Sequence, residues 1–337
     1  MAAKVNVKFV VGLSIVLLGV FGGAAWIGTR SMYKTATEHA RLAEVAEAEG
    51  NWERAAGNWS RAVNKAKGNN EYIKRWVNAL SKTTPRPSEA YRERYRKDYL
   101  LAVQALGDAN PTDAAGHRVF LDLILNEAKL LGNQQGAWEG VVQRTDAVLR
   151  NFPEGDKGTA PIRRYRGLAR TSLMGLTSDQ SDELVKQAKE DLEAALEADP
   201  GDGEVAGALV DWHRFEGVRA RAKTSVEAGD EISKAGQKFA ADYLAKNPDA
   251  AAVIVADIQL SLADAVRTGQ GLTMGDVFKK VHPKIGRLLD AVAAMPKERI
   301  DRNVAWQAAQ LGLASAYPEG GAKGMAGLEH VMAADTQ

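Results

Sequence analysis

The sequence predicts an all-α protein, an N-terminal transmembrane helix followed by an array of helical hairpins, and three observations carry that reading. Pro153, Pro200, Pro248 and Pro296 stand 47, 48 and 48 residues apart, and each follows an aliphatic residue by four positions: Leu149, Leu196, Leu244 and Val292. Proline lacks an amide donor and clashes with the preceding turn, so it stops a helix. A stop that recurs at constant spacing marks a helical repeat array. From Met32 onward the chain is rich in Ala, Leu, Glu, Lys and Arg, with apolar residues three and four apart. The third observation is the uncharged stretch at residues 9–28.

That stretch is long enough, at 1.5 Å per residue, to cross about 30 Å of hydrocarbon. Lys4 and Lys8 precede it and favour a cytoplasmic N-terminus, although Arg30, Lys34 and Arg41 flank the other end. Gly23-Ala24-Ala25 offers small residues to a signal peptidase. The apolar run continues through Trp26 and Ile27, which suits an uncleaved interfacial anchor. Residues 1–30 are therefore expected to be a single-pass anchor in the inner membrane, with the body, residues 31–337, on the extracytoplasmic side. Gly19 and Gly23 form a small-xxx-small pair through which two anchors could pack.

In the body, the ambiguous run at residues 251–255 sits within a longer helical pattern through Ile258 and Leu262 and is expected to be a buried helix. Residues 81–88, with Pro85 and Pro87, break the pattern and predict a linker or kink, with Ser88 placed to cap a helix starting near Glu89. Residues 269–275 read as a helix connection; their glycines have the wrong spacing for a dinucleotide turn and follow no strand. The interval after Pro296 carries the next stop past Gln337, so the segment 325–332, apolar at Met325, Leu328, Val331 and Met332, is expected to be a second helix. It would belong either to a longer array or to a last repeat that docks on a partner.

Gly50, Trp52, Ala55, Trp59 and Ala62 stand at the offsets of a turn and second helix in which alanines allow close approach and tryptophans fill the space between repeats. A second run, with Ala188, Leu192 and Ala195, closes on Asp199-Pro200. These residues resemble the tetratricopeptide repeat. The resemblance covers most of residues 35–337, although the family's unit is about 34 residues and the interval here is longer. It implies a right-handed α-α superhelix whose first helices line a concave groove. In the best repeat these positions are Thr37, Ala40, Glu44 and Glu47, whose acidity would suit a basic or polar ligand.

No cysteine is present, which excludes disulfides, thiolate zinc sites and cysteine nucleophiles. The net charge of +1 gives no argument for nucleic acid. Residues 61–98 are basic and residues 182–204 acidic, each expected to form solvated helix faces, while Tyr91, Tyr95 and Tyr99 read as a packing stripe. His39, His117, His213, His282 and His330 lie too far apart in sequence for a short-spaced metal motif. The acceptor tripeptide Asn58-Trp59-Ser60 falls inside the best repeat helix, where a glycan would disrupt packing. No nucleophile elbow, zinc helix or phosphate loop occurs, so no catalytic, cofactor or metal residues are assigned. The expected function is a membrane-anchored scaffold that binds a partner peptide or helix, in bacterial envelope assembly or protein export. A self-associating spacer and an enzyme with an unrecognised helical cleft are the alternatives.

Overall fold

The computed structural model describes residues 34–84, 89–177, 181–269, 273–295 and 302–315. The anchor at 9–28 with Gly19 and Gly23, residues 85–88, Pro296, His330 and the segment 325–332 lie outside these residues. Among the described residues there are thirteen α-helices, one 3-10 turn at Lys157–Thr159, and no strand. None of these helices is long and apolar enough to cross a membrane. The chain forms two compact units that divide between Asn110 and Pro111.

The first unit holds α1 (Ala36–Ala48), α2 (Trp52–Lys65), α3 (Asn70–Ser81) and α4 (Glu89–Ala109), each packed on the next. Residues 81–88 thus connect two helices of one unit, and the division between units falls later, at Asn110. Helix α1 begins in a capping box: Glu38 N donates to Thr35 Oγ1 at 3.2 Å, and Thr35 N to Glu38 Oε2 at 2.8 Å. It ends at Gly50, whose φ of 70° is a left-handed conformation that glycine adopts without strain. There Gly50 N donates to Glu47 O and Asn51 N to Ala46 O, which satisfies two carbonyls of the last turn. The core joins Ala43, Ala46, Ala55, Trp59, Ala62 and Ile73. Tyr95 and Tyr99 stack with centroids 6.1 Å apart, and Tyr95 Oη donates to Leu80 O at 2.7 Å, so this part of the tyrosine stripe serves packing.

The second unit runs through α5 (Ala114–Leu131), α6 (Gln135–Leu149), α7 (Ala160–Leu176), α8 (Asp182–Ala198), α9 (Gly203–Lys223), α10 (Val226–Lys246), α11 (Ala251–Thr268), α12 (Met274–Ala294) and α13 (Arg302–Ala314). Each packs on its successor, and α5, α7, α9, α11 and α13 also pack in a row, each on the next. Helices α6, α8 and α10 stop at Leu149, Ala198 and Lys246, just ahead of Pro153, Pro200 and Pro248. One proline interval therefore corresponds to one hairpin. The added length lies largely in the helices themselves, since α9 and α10 have 21 residues each. Helix α11 is buried at Ala251, Val253, Ile254, Val255 and Ile258, as its pattern predicts. Pro283 lies inside α12 without ending it. Val277 and Val281 before it, and Ile285, Leu288 and Leu289 after it, all enter the apolar core, which offsets the ~3 kcal/mol cost of an internal proline.

Six carboxylates of the acidic run, Asp182, Glu183, Glu190, Glu193, Glu197 and Asp199, are exposed as expected, and three others are turned inward. Asp191 on α8 is 1% exposed and accepts from Arg166 Nε and Nη2 and from Arg170 Nη1, each at 2.7 Å. Arg166 also donates to Asp146 on α6 at 2.7 Å. The network ties α6, α7 and α8 together, and removal of one partner from such a pair costs ~3–5 kcal/mol through the stranded charge. Asp202 and Glu204 are drawn in by Arg164.

Helices approach closely where a side chain is missing. A Cβ on Gly207 would lie 2.9 Å from the backbone C and O of Ala252, so α9 and α11 meet there almost backbone to backbone. Gly57, on α2, has nothing within 4 Å of its Cβ position. Gly207→Ala is expected to destabilise the full chain by roughly 1–3 kcal/mol. Gly57→Ala should instead leave stability unchanged or raise it by roughly 0.5–1 kcal/mol. Thermal melts in detergent followed by circular dichroism check both; equal melting of Gly207→Ala and the parent would remove the close-approach argument.

Candidate groove in the second unit

The row of odd-numbered helices in the second unit bounds a cleft of about 420 Å³. Leu125 and Lys129 of α5, Leu168 and Ser172 of α7, Ala208 and Phe215 of α9, Ala252 and Val255 of α11, and Val304 of α13 all line it. Trp138 of α6 also lines it, held by its Nε1, which donates to Gly132 O at 2.8 Å. The site arises from stacking, because consecutive hairpins each contribute their first helix to one continuous wall. Gly207 lies on that wall where α9 and α11 draw together.

Charged groups border the apolar wall in ion pairs, and one amide pair joins them. Arg164 donates through Nε to Asp202 and through Nη2 to Glu204, each at 2.6 Å, and Lys129 pairs with Glu204 as well. Arg214 donates to Asp211 Oδ1 at 2.7 Å through Nη2 and at 3.0 Å through Nε. Burial pushes the Asp211 carboxyl above the ordinary carboxylate range, and the neighbouring Arg214 guanidinium offsets this only in part. Gln259 Nε2 donates to Gln307 Oε1 at 3.0 Å, linking α11 and α13, and both side chains line the cleft.

The residues singled out from sequence fall elsewhere. Ala55, Trp59 and Ala62 are core residues at 0 or 1% exposure, as are Ala188 and Leu192, with Ala195 buried beside them. Trp52 packs against the first unit's core, with the Lys82 ammonium 4.3 Å from its ring centroid, and Pro200 is exposed. Of the four groove positions, Thr37 and Glu44 are exposed, Glu47 is half-buried and Ala40 is buried in the core, so Ala40 offers no groove surface. Glu47 accepts from Trp59 Nε1 at 2.8 Å and from Arg75 Nη1 at 2.9 Å, and Arg75 also lies 3.7 Å from Glu44. The acidity expected to attract a basic ligand is thus met by Arg75, across α1, α2 and α3. Asn58 is buried and donates to Arg54 O at 3.0 Å, a poor position for a glycan.

No three or more His, Cys, Asp or Glu side chains gather into a metal-binding group among the described residues. His117 and His282 lie against the backbone carbonyls of Pro111 and Ser315, at 3.2 and 3.0 Å. No protein-family model matches this sequence, and no curated protein matches it.

Two ionisable side chains two residues apart on α9 respond oppositely to acid. His213 faces α10, where a Cβ on Gly236 would lie 2.6 Å from the His213 Cβ; burial, helped by the Lys189 charge, brings its pKa down to about 4. The unfolded chain, with its histidine near 6.5, binds this proton first. Stability is therefore lost as pH falls from about 6.5 towards 4, by up to about 3 kcal/mol. Asp211, whose folded pKa is raised, works the other way and favours the folded state as it protonates. His213→Gln is expected to flatten the decline in melting temperature between pH 6.5 and 4.5. An unchanged pH profile would mean that His213 is not held neutral.

Proposed function

We propose that this chain is an interaction scaffold whose hairpins form a tetratricopeptide-like superhelix, and whose second unit holds a segment of a partner protein. The observation that supports this reading is the groove of about 420 Å³ lined by successive odd-numbered helices. A wall built by several repeats offers a continuous surface to an elongated ligand, which is how stacked helical arrays bind. Apolar side chains form the wall and already-paired charges border it, a composition suited to holding a protein segment.

The scaffold is tethered at the inner membrane by residues 9–28, with the body extracytoplasmic, in envelope assembly or protein export. The uncharged length of that stretch and its leading lysines support the tether. Gly19 and Gly23 are where two anchors would pack. Alkaline carbonate should leave the full chain in the membrane pellet; release into the supernatant would refute the tether.

The groove is tested by filling it. Ala208→Trp and, independently, Ser172→Trp place an indole in the cleft from α9 and α7. After crosslinking in native membranes, each is expected to lose a partner captured by the parent chain while melting within a few degrees of it. Retention of the same partner by both folded variants would rule the groove out as the binding surface.

A further inference from the structure

We propose that the groove accepts an extended, uncharged peptide segment, gripped at its main chain by the Gln259–Gln307 amide pair, with its apolar side chains set against Trp138 and Phe215. This rests on the scaffold reading and specifies what the scaffold holds.

Charge is the first argument. Glu204 is engaged by Lys129 and Arg164, Asp202 by Arg164, and Asp211 by Arg214. A charged ligand group would have to take a partner from one of these pairs, and desolvation would add to that cost. An uncharged segment leaves every pair in place. The acidic or basic selectivity common to charged grooves has no unpaired group here to supply it.

Hydrogen-bonding capacity is the second. A carboxamide has one acceptor oxygen and two donor hydrogens. In the Gln259–Gln307 contact, the Nε2 of the first meets the Oε1 of the second, and among the described residues no other side-chain bond engages Gln259 Oε1 or Gln307 Nε2, on two side chains that line the cleft. One acceptor beside one donor complements a peptide unit, which carries one N–H and one C=O. Both glutamines are half-buried, so the pair is held in place yet reachable from the groove. A helical ligand has already spent its backbone groups internally, apart from its ends, and could not use this capacity. An extended one can, and its side chains then alternate between the apolar wall and solvent.

The test is selection of a phage-displayed library of random dodecapeptides on the full chain in detergent, followed by synthesis of enriched peptides with acetylated and amidated ends. The expected result is a set of apolar, net-neutral sequences whose binding changes little between 50 and 500 mM salt. Gln259→Ala with Gln307→Ala should weaken it roughly tenfold, the loss of two hydrogen bonds. Gln307→Glu, which keeps the shape and substitutes an acceptor for the donor, should weaken it as well. Melting curves accompany each variant, and N-methylation of the peptide backbone at single positions should reproduce the loss in the parent protein. Enrichment of charged peptides, salt-sensitive binding, or indifference to both the glutamine variants and N-methylation would overturn this proposal and leave the scaffold reading standing. Selection of no peptide that Ala208→Trp displaces would overturn both.

Discussion

Close packing at positions without side chains is the constraint on which the second unit depends. At Gly207 the backbones of α9 and α11 meet with no room for a methyl group, and at Gly236 on α10 an added Cβ would lie 2.6 Å from the His213 Cβ on α9. Helix axes separated by medium-sized side chains lie 8–10 Å apart, and removal of a side chain brings them to the near end of that range. Short separations within the odd-numbered row let successive helices form one wall, and the groove is the exposed side of that wall. The same glycine thus shapes packing and site.

The second organising feature is that charges which a helical wheel would send to solvent are turned inward. Asp191 lies beneath Arg166 and Arg170, and Lys284 reaches the buried Asp257 at 2.7 Å. These pairs hold neighbouring helices in register, because each bond requires a particular axial offset between its two helices. They contribute less to net stability than their number suggests, since desolvation offsets most of the attraction. In the groove this pairing leaves a neutral surface with apolar relief, and the first unit follows the same logic where Arg75 meets Glu44 and Glu47.

The residues read as repeat signatures are packing residues and not ligands. Ala55, Trp59 and Ala62 define how α2 meets its neighbours, and Ala188, Leu192 and Ala195 do the same for α8. Their types are dictated by space, which is why they stand out in the sequence. Residues that line the cleft, such as Ala208, Gln259 and Gln307, are under no comparable packing demand, and nothing in their spacing separates them from any other half-exposed helix position.

The sequence by itself determined helix, period and punctuation, because these follow from local chemistry: a proline that cannot donate, a glycine at positive φ after α1, and apolar residues three and four apart. It did not disclose that Asp191 would be buried, that Pro283 would be carried within α12, or that Ala40 would face the core. Those outcomes depend on partners far away in the chain, such as Arg166 for Asp191, and only the stacked hairpins bring them together. The groove belongs to the same class, since five alternate helices, the first of successive hairpins, each supply residues to it.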